Sequence, residues 1–146
     1  MSGVVPGRRV VVTGMGVLSA LGNDVASTWE GLVAGRSGIR TIASFDPSRL
    51  TSQMAGEVKD FDASGVLDRK DIRRTDRYIQ FGLVAARQAM DQAGLPARLE
   101  GSLAEATGVI LGTGLGGIGT LYEGMSTNAL RGPDRISPFL IPMGIP

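Results

Sequence analysis

Two apolar runs, each emptying into a cluster of glycines, set the narrowest limits on the fold. Arg9-Val10-Val11-Val12-Thr13 stops at Gly14-Met15-Gly16, and Thr107-Gly108-Val109-Ile110-Leu111 stops at Gly112-Thr113-Gly114-Leu115-Gly116-Gly117. Neither run alternates apolar with polar residues. That predicts strands covered on both faces, as in a parallel sheet, rather than strands with one wet side. Helical spacing follows each turn. Asn23 or Asp24 can cap a helix that places Val25, Trp29, Leu32 and Val33 on one face and closes at Gly35. Ile118, Leu121, Tyr122 and Met125 keep helical spacing up to Gly132-Pro133. Strand, glycine turn and helix in that order predict an α/β fold built from βαβ units.

Between these units, Gln53 to Val58 alternates weakly and predicts a short outer strand. From about Asp71 to Ala93 two series recur at heptad steps, Ile72, Ile79, Ala86 and Asp76, Leu83, Met90. They predict one long helix stopped by Gly94 and Pro96. Asp76 is the polar exception in that stripe. The last stretch, Ser137 to Pro146, is apolar and proline-rich, too apolar for a solvated tail and too short to bury itself. It leads to the expectation that the chain is cut in mid-fold, one incomplete domain over residues 1–146.

The residue inventory narrows the chemistry. There is no cysteine and no histidine among 146 residues. The commonest neutral-pH acid–base group and the strongest ordinary nucleophile are therefore both missing, and Ser19, Ser37 and Ser137 have no imidazole to activate them. No G-x-S-x-G elbow occurs. Without cysteine there is no disulfide framework or thiolate metal site. A net charge of +1 argues against a general nucleic-acid or membrane-surface binder. The apolar runs fall far short of the ~20 residues of a membrane span. Met1 to Arg9 lacks the apolar core of a signal peptide, so a cytoplasmic address is expected.

Three motifs admit a functional reading beside a structural one. Gly112, Gly114 and Gly117 satisfy G-x-G-x-x-G before a helix, the pattern that lets a pyrophosphate approach a helix N-terminus. No second strand ending in an acidic residue follows at the needed distance, and Ser19 stands where the first turn would need its third glycine. Glycines that simply permit tight turns are the plainer reading. Asp68 to Arg77 holds five cations and three anions. Such a ridge serves either as a solvated face or as a dock for an acidic partner. Asp60 and Asp62 follow a lysine in a turn-like stretch and read as a solvated loop rather than an acid–base pair.

Taken together and in order, the motifs resemble a β-ketoacyl-[acyl-carrier-protein] synthase of the II type. The likeness runs through Arg8-Arg9-Val10-Val11-Val12-Thr13-Gly14-Met15-Gly16-Val17-Leu18-Ser19 and Ser27-Thr28-Trp29, then Gly35-Arg36-Ser37-Gly38-Ile39, Asp68-Arg69-Lys70 and Ile79-Gln80-Phe81-Gly82. It continues through the second glycine cluster and Gly132-Pro133-Asp134-Arg135-Ile136-Ser137-Pro138-Phe139. The resemblance implies a thiolase-like fold of α-β-α-β-α layers, of which this chain supplies part of the N-terminal half, and a homodimer. It implies fatty-acid elongation: a cysteine accepts the acyl group, malonyl-acyl carrier protein is decarboxylated, and the carbanion attacks the thioester, with two histidines and a lysine in support and no cofactor. None of those catalytic groups lies in this chain, so the chain alone is expected to be silent.

By position, the resemblance places Leu115 at the gate of the acyl pocket and Phe139 and Leu140 near the dimer seam beside the acyl tunnel. Arg69, Lys70 and Arg135 match basic positions that meet the acidic acyl carrier protein, with acyl and malonyl thioesters as substrates. Asp134 departs from the pattern, standing where a basic residue is often found. Two alternatives stay open: a non-catalytic chain-length-factor-like subunit of an aromatic polyketide synthase, and a dinucleotide-binding domain.

Overall fold

The computed structural model describes Gly7 and residues 9–145. Arg8 and Pro146, which the motif reading above includes, lie outside the described residues, as do Met1 to Pro6. In chain order the elements are α1 (Val25–Val33), β1 (Ile39–Thr41), β2 (Met54–Gly56), α2 (Arg69–Arg74), α3 (Arg77–Gln92), α4 (Gly101–Glu105), α5 (Ile118–Arg131), a single 3-10 turn (Pro133–Arg135) and α6 (Leu140–Gly144).

The first helix forms as the pattern predicts. Asp24 is its N-cap, with the side chain accepting from the Ser27 amide at 2.7 Å, and Gly35 takes the left-handed conformation that ends it (φ 64°). The outer strand is also present: β2 pairs antiparallel with β1 in the register Ile39↔Gly56, Arg40↔Ala55, Thr41↔Met54. Just beyond it, the Glu57 carboxylate accepts from the Ala43 and Ser44 amides at 2.9 and 3.0 Å, bracing the hairpin where the ladder ends. Hydrogen bonding from the Ser44 side chain first, then from the Ala43 amide and the Ser44 amide, holds the Glu57 carboxyl below its ordinary value.

The long helix expected over Asp71 to Ala93 is two helices. The break falls at Thr75-Asp76, and Asp76, the polar misfit in the heptad stripe, is the N-cap of α3. Its side chain accepts from the Tyr78 amide at 3.3 Å. Asp68 caps α2 in the same way, accepting from the Lys70 and Asp71 amides. An aspartate that bonds backbone amides from a non-helical conformation competes with helix continuation, and here it wins. At the other end the Leu95 amide bonds the Met90 carbonyl across Gly94 (φ 68°), as the Gly94-Pro96 stop predicts.

The two buried strands are a clear difference. Residues 9–13 and 107–111 join no ladder among the described residues, where the hairpin is the one sheet. Their side chains face solvent: Val10 is 93% exposed and Ile110 fully so. A parallel strand owes its place to neighbours that pair its backbone and helices that cover both faces. The described residues supply neither. The apolar tail, in contrast, folds back as α6, whose Gly144 carbonyl accepts from the Gly117 amide at 3.1 Å.

What seats the N-terminal segment is helix α3. Met15 donates its amide to Gln92 Oε1 (2.6 Å) and Val17 donates to Gln88 Oε1 (3.0 Å), while Gln88 Nε2 donates to the Asn23 carbonyl (2.7 Å). Between these bonds the backbone lies directly on the helix. A Cβ on Gly16 would stand 1.8 Å from the Ala85 carbonyl oxygen, and one on Gly14 would stand 2.0 Å from that of Ala89. The glycine turn is thus required by close packing, and the alanines opposite complete the fit.

Burial is slight overall. The accessible surface is 11475 Å², against about 7,100 Å² for a self-contained globular protein of this mass. Among described residues only Ala63 is a fully buried apolar residue, and no helix is long and apolar enough to cross a membrane. With so much apolar surface uncovered, the purified chain is expected to self-associate and to melt over a broad range. A sharp, cooperative melt from a monomer verified by sedimentation would contradict this. The Glu57 brace gives a second test. Because its carboxyl is held low, its contribution is complete above the ordinary value of 4.5 and is lost as pH falls through the lower folded value. The Ala43 and Ser44 amide resonances should therefore titrate together with a midpoint below 4.5, and Glu57→Gln should abolish that titration.

Candidate functional site

Six positions carry the functional reading, and the structure brings three of them, Arg135, Phe139 and Leu140, to one region. Arg69 and Lys70 are the first two residues of α2, both exposed. Arg135 ends the 3-10 turn, Phe139 precedes α6 and Leu140 opens it. Arg135 and Leu140 line one cleft of about 270 Å³, together with Arg73 of α2 and Thr120, Glu123 and Thr127 of α5. Phe139 joins this region through α2, since the Arg74 guanidinium lies 4.8 Å from its ring centroid. Leu115 stands apart, 71% exposed in the loop before α5 and lining none of the clefts described here.

Packing of α6 on α5 fixes the floor of the cleft. Leu140 rests where Gly124 has no side chain: a Cβ there would be 2.4 Å from Leu140 Cδ1. Gly144 is seated likewise on Leu121. These small residues let a helix of five residues hold its place without a cap of its own.

Asp76 is the residue whose importance the sequence reading missed. Besides capping α3, its carboxylate accepts a hydrogen bond from the Thr120 hydroxyl in the first turn of α5. It also lies against Gly117, where an added Cβ would be 2.9 Å from Asp76 Oδ2. One side chain therefore ties the start of α3 to the start of α5. A polar residue breaking a heptad stripe, eight positions after another capping aspartate, was the available signal.

This arrangement bears on the G-x-G-x-x-G motif. A pyrophosphate at the start of α5 would meet the Asp76 carboxylate, and the Gly117 amide is already committed to Gly144. The Gly116 amide is bonded to Thr113 Oγ1 at 3.1 Å. An anion site needs free amides and no fixed negative charge, so this loop is built as packing, not as a phosphate cradle.

A second cleft, of about 630 Å³, lies between the hairpin and α3 and includes Glu57, Lys59, Asp60, Arg77 and Phe81. Arg77 is consumed in structure: it donates to the Val58 carbonyl at 2.7 Å and lies 5.6 and 5.1 Å from the ring centroids of Phe61 and Phe81. The two rings meet edge to face at 4.7 Å.

Residues 7–145 match the family model described as Beta-ketoacyl synthase, N-terminal domain. The chain is 45% identical over 138 residues to the 3-oxoacyl-[acyl-carrier-protein] synthase 2 of Coxiella burnetii, covering 94% of the chain and 33% of that protein. The protein of the same name from Vibrio harveyi is 44% identical with the same coverage. Among solved structures, the ishigamide ketosynthase/chain length factor superposes with a TM-score of 0.77 at 31% identity, over 94% of this chain and 34% of that one. A type II polyketide-synthase acyl-carrier protein in complex with its ketosynthase gives a TM-score of 0.72 at 20% identity, over 93% and 35%. The chain thus spans about a third of the length of the curated relatives it matches.

The Asp76 link generates a test of its own. Asp76→Ala removes a cap and a helix-to-helix hydrogen bond, together about 2 kcal/mol. Amide exchange should quicken at least tenfold in the first turns of both α3 and α5. Asp76→Asn, which keeps an acceptor, should quicken it less. Unchanged exchange at α5 would show that the link contributes nothing.

Proposed function

The chain belongs to the beta-ketoacyl synthase family, and from that premise we propose that it is the N-terminal portion of an enzyme that elongates fatty acids. The reaction is the decarboxylative Claisen condensation of an acyl-enzyme with malonyl-acyl carrier protein. The observation that carries this reading is the identity of 42–45% to several 3-oxoacyl-[acyl-carrier-protein] synthase 2 proteins over nearly the whole chain.

The chemistry divides between this chain and the rest of the enzyme. A thiolate must take the acyl group from its carrier thioester and release the carrier thiol. Loss of carbon dioxide from the malonyl group leaves an enolate, which attacks the acyl thioester and expels the thiolate. Stabilising that enolate calls for N–H donors such as imidazoles. This chain has no cysteine or histidine, so in the proposal those groups come from elsewhere in the polypeptide. Residues 1–146 contribute substrate handling: Leu115, Phe139 and Leu140 as acyl-pocket wall, Arg69, Lys70 and Arg135 as the carrier dock, and a homodimer around them. The layered thiolase-like architecture belongs to the proposal as well. Its sheet would take up residues 9–13 and 107–111 as parallel strands.

A chain-length-factor-like role shares the fold; the identity of 42–45% to proteins named as synthases supports the catalytic reading. A dinucleotide-binding role is disfavoured by the Asp76 carboxylate at the start of α5.

The test is the longer polypeptide. Its sequence after residue 146 should present a cysteine at a strand-to-helix turn and, much later, two histidines. The enzyme should release carbon dioxide from malonyl-acyl carrier protein and lengthen the acyl chain, while the 146-residue chain alone does neither. Turnover by the isolated chain would overturn the division of labour. Glutamine at the cysteine position would favour the non-catalytic subunit.

A further inference from the structure

Helix α5 starts without a side-chain cap of its own, because its N-cap is Gly117. A fixing group comes instead from α3. Asp76 divides its two carboxylate oxygens: Oδ1 accepts from the Tyr78 amide at the start of α3, and Oδ2 accepts from the Thr120 hydroxyl in the first turn of α5. Gly117 is wedged between that carboxylate and the end of α6. A Cβ on it would stand 2.9 Å from Asp76 Oδ2 and 2.5 Å from the Met143 carbonyl oxygen.

Immediately upstream is a small turn that carries Leu115, 71% exposed. The Gly116 amide donates to Thr113 Oγ1 at 3.1 Å and closes the turn, with Gly116 in the left-handed conformation (φ 60°). On the far side the packing is open. Among the described residues nothing lies within 4 Å of the place where Gly112 or Gly114 would carry a side chain. The turn therefore takes its orientation from Gly117, and Gly117 takes its place from Asp76 and α6.

We propose that Asp76 is a positioning residue for acyl-chain selection: through Thr120 and Gly117 it fixes the turn that carries Leu115, and so sets how strictly the enzyme distinguishes acyl groups of different length. The proposal rests on the reading of Leu115 as acyl-pocket wall. A wall selects by length only if it resists displacement, and a wall on a glycine-flanked turn resists no more than its anchor does. Loss of the Thr120 bond lets the turn yield, which costs the preferred chain little and admits the others. Asp76 acts through this bond and touches no substrate itself.

The experiment uses the full-length enzyme and straight-chain acyl donors of graded length, each on acyl carrier protein. Thr120→Val keeps the side-chain shape and the α3 cap while removing the hydroxyl. It should reduce the ratio of kcat/KM between the best and the poorest donor about fivefold, the worth of one hydrogen bond. Thr120→Ser should retain the wild-type ratio. Asp76→Ala should match Thr120→Val, and the two together should change the ratio no more than either alone, because they remove one shared bond. The proposal is overturned if Thr120→Val leaves the ratio unchanged, whether or not turnover falls, if Thr120→Ser loses as much, or if the wild-type enzyme shows no length preference. Leu115→Ala separates this proposal from the reading beneath it. A profile that Leu115→Ala changes and Thr120→Val does not overturns this proposal alone. A profile that Leu115→Ala leaves untouched removes the pocket-wall reading and this proposal with it.

Discussion

The contact on which most of the chain's arrangement depends is the seating of a bare backbone on a helix. Gly14 and Gly16 approach Ala89 and Ala85 so closely that no side chain fits between. Gln88 and Gln92, one turn apart on α3, meet the amides of Val17 and Met15 on either side. Glycine on one partner and alanine on the other bring the two backbones together, and the paired glutamines satisfy amides that would otherwise be left without partners. The same α3 then reaches forward through Asp76 to α5 and back through Gln88 to the turn before α1. Three otherwise separate segments are referred to one helix.

That hub explains why so little of the chain is buried and why it is nonetheless arranged. Ordering comes from polar links and small-residue contacts rather than from a large apolar core, since Ala63 is the one fully buried apolar residue described. The apolar faces of α1 and α5 stay open: Trp29 is 65% exposed and Tyr122 72%. Their amphipathic patterns are those of helices that cover a sheet, and among the described residues the sheet is a hairpin of three-residue strands.

Legibility in the sequence followed the range of the interactions. Helix α1, its aspartate cap, the Gly94 stop and the outer strand were readable because capping and turn chemistry act within a few residues. The split between α2 and α3 was missed because heptad spacing outvoted Asp76, although a lone polar group in an apolar stripe was the sign of a cap. The valine runs were read as buried strands. Composition reports what a segment is suited to join, whereas pairing depends on neighbours that these residues lack. In the candidate site, Arg135 and Leu140 do share a cleft, but that Arg73, out of the whole basic run, joins them there is visible only in the fold. No spacing rule tells which arginines of a basic run lie over Phe139, Phe61 and Phe81.

The bond from the Gly117 amide to the Gly144 carbonyl joins the glycine loop to the C-terminal helix. With Leu140 keyed into Gly124 and Gly144 into Leu121, α6 is fastened along the first half of α5 as well as to the loop before it. A shift of one end therefore carries the other with it, because the same hydrogen bond and the same small-residue contacts belong to both.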